Sequence, residues 1–319
     1  MFVVTFTVMY IAKSLFTELN VPWKLYACGS LGTSTFTCAM FPGSPQLTNL
    51  IPMSYFGTPA TAAPVLGIVC SIFCITLGVL WINRQVKKSE REGEGFEPSG
   101  TALLKNWDAS RDVQEVDLPL WQCLLPSIVL FIVMNILKQD PVIALFAGTV
   151  ASYLVFNPIK QAKNIKGAAI TAVSNANLAI VALASAAGFG GVVAAVSGFT
   201  YIIGGLDSIP GPSTIQVIIA VNVAAGFSAS SSTGQKLALD MLSDKFMSYG
   251  IPPAALHRLT SMASVGLDTL PHSSALANMY YMTRLSYKDA YINSFMISVV
   301  ITMATAVFGA ILIGLGLTF

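Results

Sequence analysis

The chain has 319 residues, of which 54% are hydrophobic and only 10% charged, against roughly 25% charged in an ordinary soluble domain. The 17 basic and 15 acidic side chains nearly cancel, and many of them cluster in residues 83–117. This composition excludes a soluble enzyme and a nucleic-acid-binding protein, and it predicts an all-α, multi-pass membrane protein.

The first apolar stretch is too long for a single membrane crossing. No charged residue lies between Lys24 and Arg84, whereas one crossing takes about 20 residues. Residues 59–82 alone suffice for a full span. We therefore predict that residues 1–82 hold this span and, before it, a segment interrupted within the membrane at 42–49, where two prolines break the helix.

A loop at residues 83–117 separates this part from the rest of the chain, residues 118–319. The loop mixes both signs of charge and is predicted to be a solvated connection. A second interruption, rich in polar residues and proline, is predicted at 268–278. The uncharged stretches after the loop predict spans near 118–137, 141–157, 168–187 and 290–319.

Clusters of Lys and Arg set the orientation of these spans, because cytoplasmic ends carry the excess of positive charge. Such clusters follow the spans that end near Ile82 and Phe156, and Arg284 with Lys288 precedes the last span. We therefore predict a protein of the bacterial inner membrane whose loop 83–117 is cytoplasmic and whose C-terminus is outside.

Two short sequence patterns recur in the same order, which predicts an internal repeat. P-x-S-x-x-L-x-N occurs at 42–49 and again at 271–278, and F-x-x-x-[N/G]-[V/I]-P occurs at 16–22 and again at 246–252. Each copy precedes a long apolar span, and the basic clusters orient those two spans in opposite directions. The two repeats are therefore predicted to be inverted.

The repeat also predicts that the first copy is incomplete. Residue 1 aligns near residue 231, so residues 1–82 lack an equivalent of residues 118–230. The chain is therefore expected to be an N-terminally truncated form of a longer transporter. A non-transporting membrane subunit stays open as an alternative.

Inverted repeats with interrupted segments at matching positions are typical of secondary transporters, whose substrate binds near the midplane of the membrane. Non-helical backbone at that depth is tolerated only where it is buried in protein or lines a water-filled cavity. Helix N-termini at the interruptions carry partial positive charge, which favours a carboxylate. The residues alone therefore predict a carrier for a small anion that works by alternating access.

The candidate substrate-binding residues are small and polar residues of the two interruptions. Their hydroxyl and amide groups suit the hydroxyls and the carboxylate of a substrate, or alternatively they satisfy backbone groups that the prolines leave free. The candidates are Gly43, Ser44, Thr48, Asn49, Ser273, Ser274 and Asn278.

Asp268 and His272 are the candidates for proton coupling. Ionisable residues within a membrane are costly and are by default a functional hypothesis. A histidine titrates near neutral pH, and a carboxyl group can be shifted toward it. The alternative is that Asp268 caps the broken helix and His272 bonds its exposed backbone.

Other polar residues are weaker candidates. Asn175 and Asn177 place amides inside a predicted span, where hydrogen bonding between helices is the alternative to a functional role. Asp207 is predicted at an interfacial turn. His257 and Arg258 are predicted to be a surface pair.

At these motifs the sequence resembles the gluconate permease (GntP-type) family of proton symporters, within the wider ion-transporter superfamily. The resemblance covers nearly all of the chain and is carried by F-P-G-S-P-Q at 41–46, G-F-G-G-V-V at 188–193, A-L-H-R at 255–258 and L-D-T-L-P-H at 267–272. Y-K-D at 287–289 resembles the hydroxybutyrate-permease-like branch in particular. The resemblance implies proton-driven uptake of a monocarboxylate such as gluconate or 3-hydroxybutyrate.

No enzymatic activity, cofactor or metal site is predicted. The sequence has no HExxH or GxSxG pattern, and its five cysteines lie in apolar stretches without CxxC spacing. The predicted partners are a small organic carboxylate, protons and the lipid bilayer, with a homo-oligomer left open. A sodium-coupled carrier of another organic anion is the competing hypothesis.

Overall fold

The computed structural model describes residues 2–35, 39–97, 99–104, 119–156 and 211–319, together with scattered positions between 166 and 205. These residues form helices and no strands, which confirms the all-α prediction. The helices are α1 (Phe2–Glu18), α2 (Tyr26–Thr35), α3 (Leu47–Phe56), α4 (Pro64–Arg91), α5 (Ser99–Leu104), α6 (Leu120–Phe131), α7 (Pro141–Phe156), α8 (Ser213–Ser228), α9 (Ser231–Ser248), α10 (Pro253–Ser264), α11 (Ser274–Thr283), α12 (Tyr287–Phe295) and α13 (Thr302–Gly314). π-Helical turns extend α6 over Ile132–Ile136 and join α12 to α13 over Met296–Ile301.

The chain divides into two compact units, residues 1–109 with 185–319, and residues 110–184. In the smaller unit, the continuous described stretch, residues 119–156, forms a helical hairpin of α6 and α7. Gly148 of α7 lies against Leu130 of α6, and a Cβ at Gly148 would sit 3.2 Å from the Leu130 side chain. The small residue lets the two helices approach closely, as is common where helices pack in a membrane.

Among the described residues of the larger unit, two helices are long and apolar enough to cross a membrane, namely α4 and the continuous helix Tyr287–Gly314. They run antiparallel, because the Leu66 N–H donates to the Phe319 carbonyl at one end while Gly78 faces Ile297 further along. Opposite directions are what inverted repeats require. The repeat itself stays a prediction.

The bounds of α4 differ from those of the predicted span 59–82. The helix begins only at Pro64, after Ala63 in the left-handed region with φ 42°. It continues to Arg91, because nothing in the polar stretch after residue 82 breaks a helix until Gly93 adopts φ 70°.

Residues 2–91, here the first segment, and residues 231–314, the second segment, contain their elements in the same order. Each has a helix, a turn, a second helix, an interruption, a helix of ten residues and a long apolar helix. We name residues 41–46 the first break and residues 265–273 the second break. The predicted interruptions at 42–49 and 268–278 overlap these breaks but also include the first turns of α3 and α11.

The turns of the two segments also agree in backbone conformation. After the first helix of each segment, Asn20 and Gly250 adopt φ values of 50° and 72°. After the ten-residue helices, Gly57 and Arg284 adopt 63° and 58°. A left-handed residue is the common way to end a helix, so each pair ends its helix in the same manner.

The connection that follows α4 contacts the first segment at a few positions, although most of its described residues are exposed, and the solvated loop stays a prediction. We name residues 92–97 and 99–104 the strap. Phe96 is buried, its N–H donates to the Asn20 side chain at 2.9 Å, and its ring meets Trp23 edge to face. Glu94 forms an ion pair with Lys24. Burial of the Phe96 ring against an aromatic cluster stabilises the folded protein by about 1.5–3 kcal/mol. This stabilisation holds the strap against the first segment, although most residues around Phe96 are polar.

Helix α10 lies at the centre of the larger unit, and it is buried from Ala255 to Ser264. It packs against α3, α4, α8, α9 and α13. Leu256, Leu259 and Met262 are among its fully buried apolar side chains. A helix enclosed on all sides holds its polar side chains away from bulk water, and this decides the chemistry of the site.

Candidate functional site

The two breaks are connected through α10. The Ser261 hydroxyl of this helix donates to the backbone carbonyl of Thr48, in the first turn of α3, at 2.8 Å. The second break begins directly after α10, at Val265. One buried helix therefore contacts the first turn of α3, directly after the first break, and leads into the second break.

The first break is closed by the side chain of Asn49, which is fully buried. Its Nδ2 donates to the carbonyls of Ser44 at 2.8 Å and Ala60 at 2.9 Å. The Ser44 hydroxyl accepts from the Gln46 N–H at 3.3 Å. These bonds satisfy backbone groups outside the helix, which is the alternative role that the sequence leaves open for Ser44 and Asn49.

Arg258 lies against the first break, so the prediction of a surface pair is wrong. Both His257 and Arg258 have 0% of their surface exposed. The guanidinium donates from Nη2 to the Ala62 carbonyl at 2.8 Å and from Nη1 to Asn49 Oδ1 at 3.0 Å. Nε also donates to the Ala62 carbonyl, at 3.3 Å.

A signal for this burial was present in the sequence. His257 and Arg258 are the first acidic or basic side chains after Lys245, and Asp268 is the next one. The stretch between those two outer positions is otherwise apolar, small or hydroxylated. An isolated charged residue in such a stretch indicates a position in the interior of a helical membrane protein rather than on its surface.

The contacts of His257 define its tautomer. Asn49 Nδ2 donates to two backbone carbonyls, so the Asn49 atom that faces His257 Nε2, at 3.2 Å, is Oδ1. Because an amide oxygen only accepts, His257 Nε2 must carry the proton and donate. The other ring nitrogen, Nδ1, lies 2.7 Å from the Thr58 hydroxyl and accepts from it. A second proton on the ring would place another positive charge beside the buried Arg258 guanidinium, so we assign the ring as a neutral imidazole bonded on both nitrogens.

Gly67 of α4 lets the arginine and the first break come together. A Cβ at this position would sit 2.9 Å from the carbonyl oxygen of Met40, 3.2 Å from Arg258 Nε and 3.2 Å from the Pro42 ring. The backbone oxygen has little freedom to retreat. Glycine is therefore required here by packing, since its φ is not in the left-handed region.

The second break holds a carboxyl group with a free oxygen. Asp268 is partly exposed as a residue, but its Oδ1 is sealed from solvent and has no hydrogen-bond partner within the part of the chain that the structure describes. The Ser231 hydroxyl, at the start of α9, bonds to the carboxyl group. An oxygen without a donor can take up a proton without breaking a bond in the protein.

His272 and Ser273 attach the second break to the turn between α8 and α9. His272 Nε2 lies 2.9 Å from the Gly226 carbonyl. The Ser273 hydroxyl donates to the Ala229 carbonyl at 3.3 Å. Both contacts fit the alternative role of bonding exposed backbone. His272 is exposed, whereas Ser273 is buried.

The second break also contacts the last long helix at its π-helical turn. The Thr269 and Ser298 hydroxyls lie 2.6 Å apart, and the Thr302 hydroxyl donates to the Val265 carbonyl at 3.3 Å. π-Helical turns are frequent at functional sites, because they change the direction of side chains within a helix.

Of the other predicted site residues, Gly43 lies in the first break, three are exposed or half-buried, and two lie outside the described residues. Ser274 and Asn177 are exposed, and Asn278 is half-buried. The Gly43 N–H donates to the Ala60 carbonyl at 2.9 Å, and Gly43 has a φ of 79° that favours glycine. Asn175 and Asp207 lie outside the described residues.

Two long, apolar, antiparallel helices beside two interrupted segments indicate a membrane protein. The chain is similar to the uncharacterized transporter YxjC of Bacillus subtilis (strain 168), at 28% identity over 349 residues covering 95% of this chain and 73% of that protein. This similarity supports a transporter role. No family model matches the chain, and no solved structure matches it significantly.

Proposed function

We propose that the protein is a secondary transporter of the bacterial inner membrane that takes up a small organic monocarboxylate together with protons by alternating access. Gluconate and 3-hydroxybutyrate are the proposed substrates. The observation that carries the proposal is that two interrupted segments in one compact unit share a buried helix, with a cationic cluster at one break and a carboxyl group at the other.

The polar groups of the breaks are suited to such a substrate. Ser44 and Thr48 at the first break, and Ser273 with Asn278 at the second, would meet the carboxylate and the hydroxyls of a hydroxy acid. Neutral hydrogen-bonding groups next to opened helices supply donors without many fixed charges. The loop 83–117 is proposed to lie in the cytoplasm and the C-terminus outside.

Asp268 is proposed as the proton-coupling residue, with His272 as the second candidate in the same break. An ionised Asp268 repels a carboxylate, whereas a protonated one does not. Loading of the anion would then favour loading of the proton. This linkage is the physical basis of symport, because each ligand raises the affinity for the other.

The experiment is uptake of labelled gluconate and 3-hydroxybutyrate by liposomes containing the purified protein. Accumulation driven by an inward proton gradient and unaffected by replacing sodium with choline is expected. Accumulation that requires sodium would contradict proton coupling and favour the competing carrier. Absence of uptake for every organic anion tested, by protein shown to be folded, would favour the non-transporting subunit.

The Asp268→Asn variant tests the proposed mechanism, with Asp240→Asn on the exposed face of α9 as the matched control. Proton-driven accumulation should be lost in the first variant and kept in the second. Exchange of substrate across the membrane should persist in Asp268→Asn, since it needs no net proton movement. Unchanged accumulation by Asp268→Asn would exclude Asp268 as the coupling residue.

A further inference from the structure

The buried guanidinium of Arg258 has no acidic partner among the residues that the structure describes. The ion pairs there join Lys24 to Glu94, Lys88 to Glu92 and Lys236 to Asp240. Arg258 donates instead to neutral oxygens, namely Oδ1 of Asn49 and the backbone carbonyls of Ala60 and Ala62.

The rest of the cluster leaves this charge uncompensated. His257 is bonded on both nitrogens as a neutral ring, and Thr58 and Asn49 carry no charge. Taking a guanidinium out of water is costly unless an anion offsets it. A neutral donor could bond the same carbonyls at a smaller cost. The hydrogen bonds alone therefore do not account for an arginine at this position.

The charges at the two breaks have opposite signs. A positive charge is fixed at the first break by Arg258, and a carboxyl group lies at the second break in Asp268. On an anion bound between the two breaks, where the proposed function puts it, both charges act in the same direction, toward the first break. Arg258 has no exposed surface, so it acts on the substrate through its electric field.

We propose that Arg258 is the positioning residue that turns the carboxylate of the substrate toward the first break and makes the carrier select anions over neutral analogues. This inference rests on the proposed function and adds the orientation in which the substrate binds. The hydroxylated end of the substrate then faces the second break, next to the proton-accepting carboxyl group.

The test is competition in the liposome uptake assay. Gluconate and its neutral amide, gluconamide, compete with labelled gluconate in the wild type and in Arg258→Gln. The wild type should prefer gluconate, and the ratio of the two inhibitory concentrations should fall by about fivefold or more in the variant. A purely structural role would lower the amount of folded protein without changing this ratio.

Asn49→Asp is the second variant, because Arg258→Gln removes several hydrogen bonds and can fail to fold. It keeps the guanidinium and its bonds to the Ala60 and Ala62 carbonyls, places a negative charge beside it, and loses the two hydrogen bonds that Asn49 Nδ2 donates. The preference for gluconate should fall here too, whereas the exposed control Lys236→Gln should keep it.

An unchanged ratio in either folded variant would overturn the role of Arg258. A wild type that takes up neither gluconate nor 3-hydroxybutyrate would overturn the proposed function, and this inference with it. Uptake by the wild type with unchanged selectivity in the variants would leave the proposed function standing and remove only this inference.

Discussion

The first and second breaks occupy matching places in segments with the same order of elements, yet they are held in different ways. At the first break, Arg258 and Asn49 cross-link three backbone carbonyls from within the core. At the second, His272 and Ser273 make single contacts to a turn, and Asp268 keeps an unbonded oxygen. Two breaks with the same order of elements therefore differ in their hydrogen bonding. The Asn49 amide at the first has all its described hydrogen bonds made, whereas Asp268 at the second has a carboxyl oxygen that accepts none from the described residues.

The difference arises from what α2 and α10 contribute. The motifs at 16–22 and 246–252 are 230 residues apart, so the positions that match His257 and Arg258 on α10 are Ala27 and Cys28 on α2. Neither residue can place a charge on the second break. A matching fold therefore does not imply matching chemistry, because different elements bond the two breaks: α10 at the first, and α8, α9 and the last long helix at the second.

The largest expected effect is on the free energy of unfolding, which should fall more when a residue that bonds the first break is replaced than when one at the second break is replaced. Arg258→Gln should lower the free energy of unfolding strongly, because each buried acceptor left without its donor costs about 1–3 kcal/mol. Asp268→Asn should have a much smaller effect, since the second break relies less on that side chain. Melting temperatures of both variants in the same detergent would measure this. Equal losses would show that the two breaks are equally fixed.

A second prediction concerns the packing that brings Arg258 to the first break. Gly67→Ala places a methyl group against the Met40 carbonyl and the guanidinium, so we expect a loss of about 1–3 kcal/mol from overpacking. Gly314→Ala, at a helical position with open space around it, is the matched control and should be neutral or slightly stabilising. Thermal unfolding of both variants measures the difference.

A smaller effect is expected at the second break from the hydroxyl pair that joins it to the last long helix. Thr269→Val keeps the shape of the side chain and removes the 2.6 Å contact with Ser298. The loss should be about 1 kcal/mol, and uptake should change more than stability if this contact guides movement of the second break. Parallel melting and initial uptake rates would decide this, and a change in neither would show the contact to be incidental.

The smallest effect is expected where α3 meets α9 at the surface. Burial pushes the pKa of Asp240 upward, but hydrogen bonds from Lys236 and Tyr55 outweigh it, so the pKa lies below the ordinary value of 3.8. The resulting stabilisation is present above that value and is lost as pH falls through the lower pKa of the folded state.

The Tyr55→Phe variant tests this surface contact. It should lose at most about 1 kcal/mol at neutral pH, because exposed charged contacts contribute little. Its difference from the wild type should shrink as pH falls below 3.8. Melting curves across this pH range measure it, and a difference that grows on acidification would contradict the assignment.

The sequence predicted much of the fold because its signals are local. Prolines 42 and 271 interrupt the helices near the predicted places, and uncharged stretches coincide with the two long helices. Composition alone predicted an all-α membrane protein, and the helices and the related transporter support it. The substrate, the proton coupling and the inverted repeats stay predictions.

The site was harder to predict, because it depends on contacts between distant residues. Asn49 meets Arg258 across more than two hundred positions of sequence, and no periodicity shows which residue will face which break. His257 and Arg258 were misplaced at the surface for this reason. Phe96 was missed similarly, since a polar stretch around one aromatic residue resembles an ordinary loop.

The aromatic cluster beneath the strap gives the protein an internal optical reporter. Trp23 is fully buried, stacks on Tyr26 at 4.6 Å and donates from Nε1 to the carbonyl of Thr283, at the end of α11, at 3.0 Å. Displacement of α11 would change the surroundings of the indole and so its emission. A chain in which the tryptophans at 81, 107 and 121 are replaced by phenylalanine would report events at the second break as a fluorescence change, without any attached label.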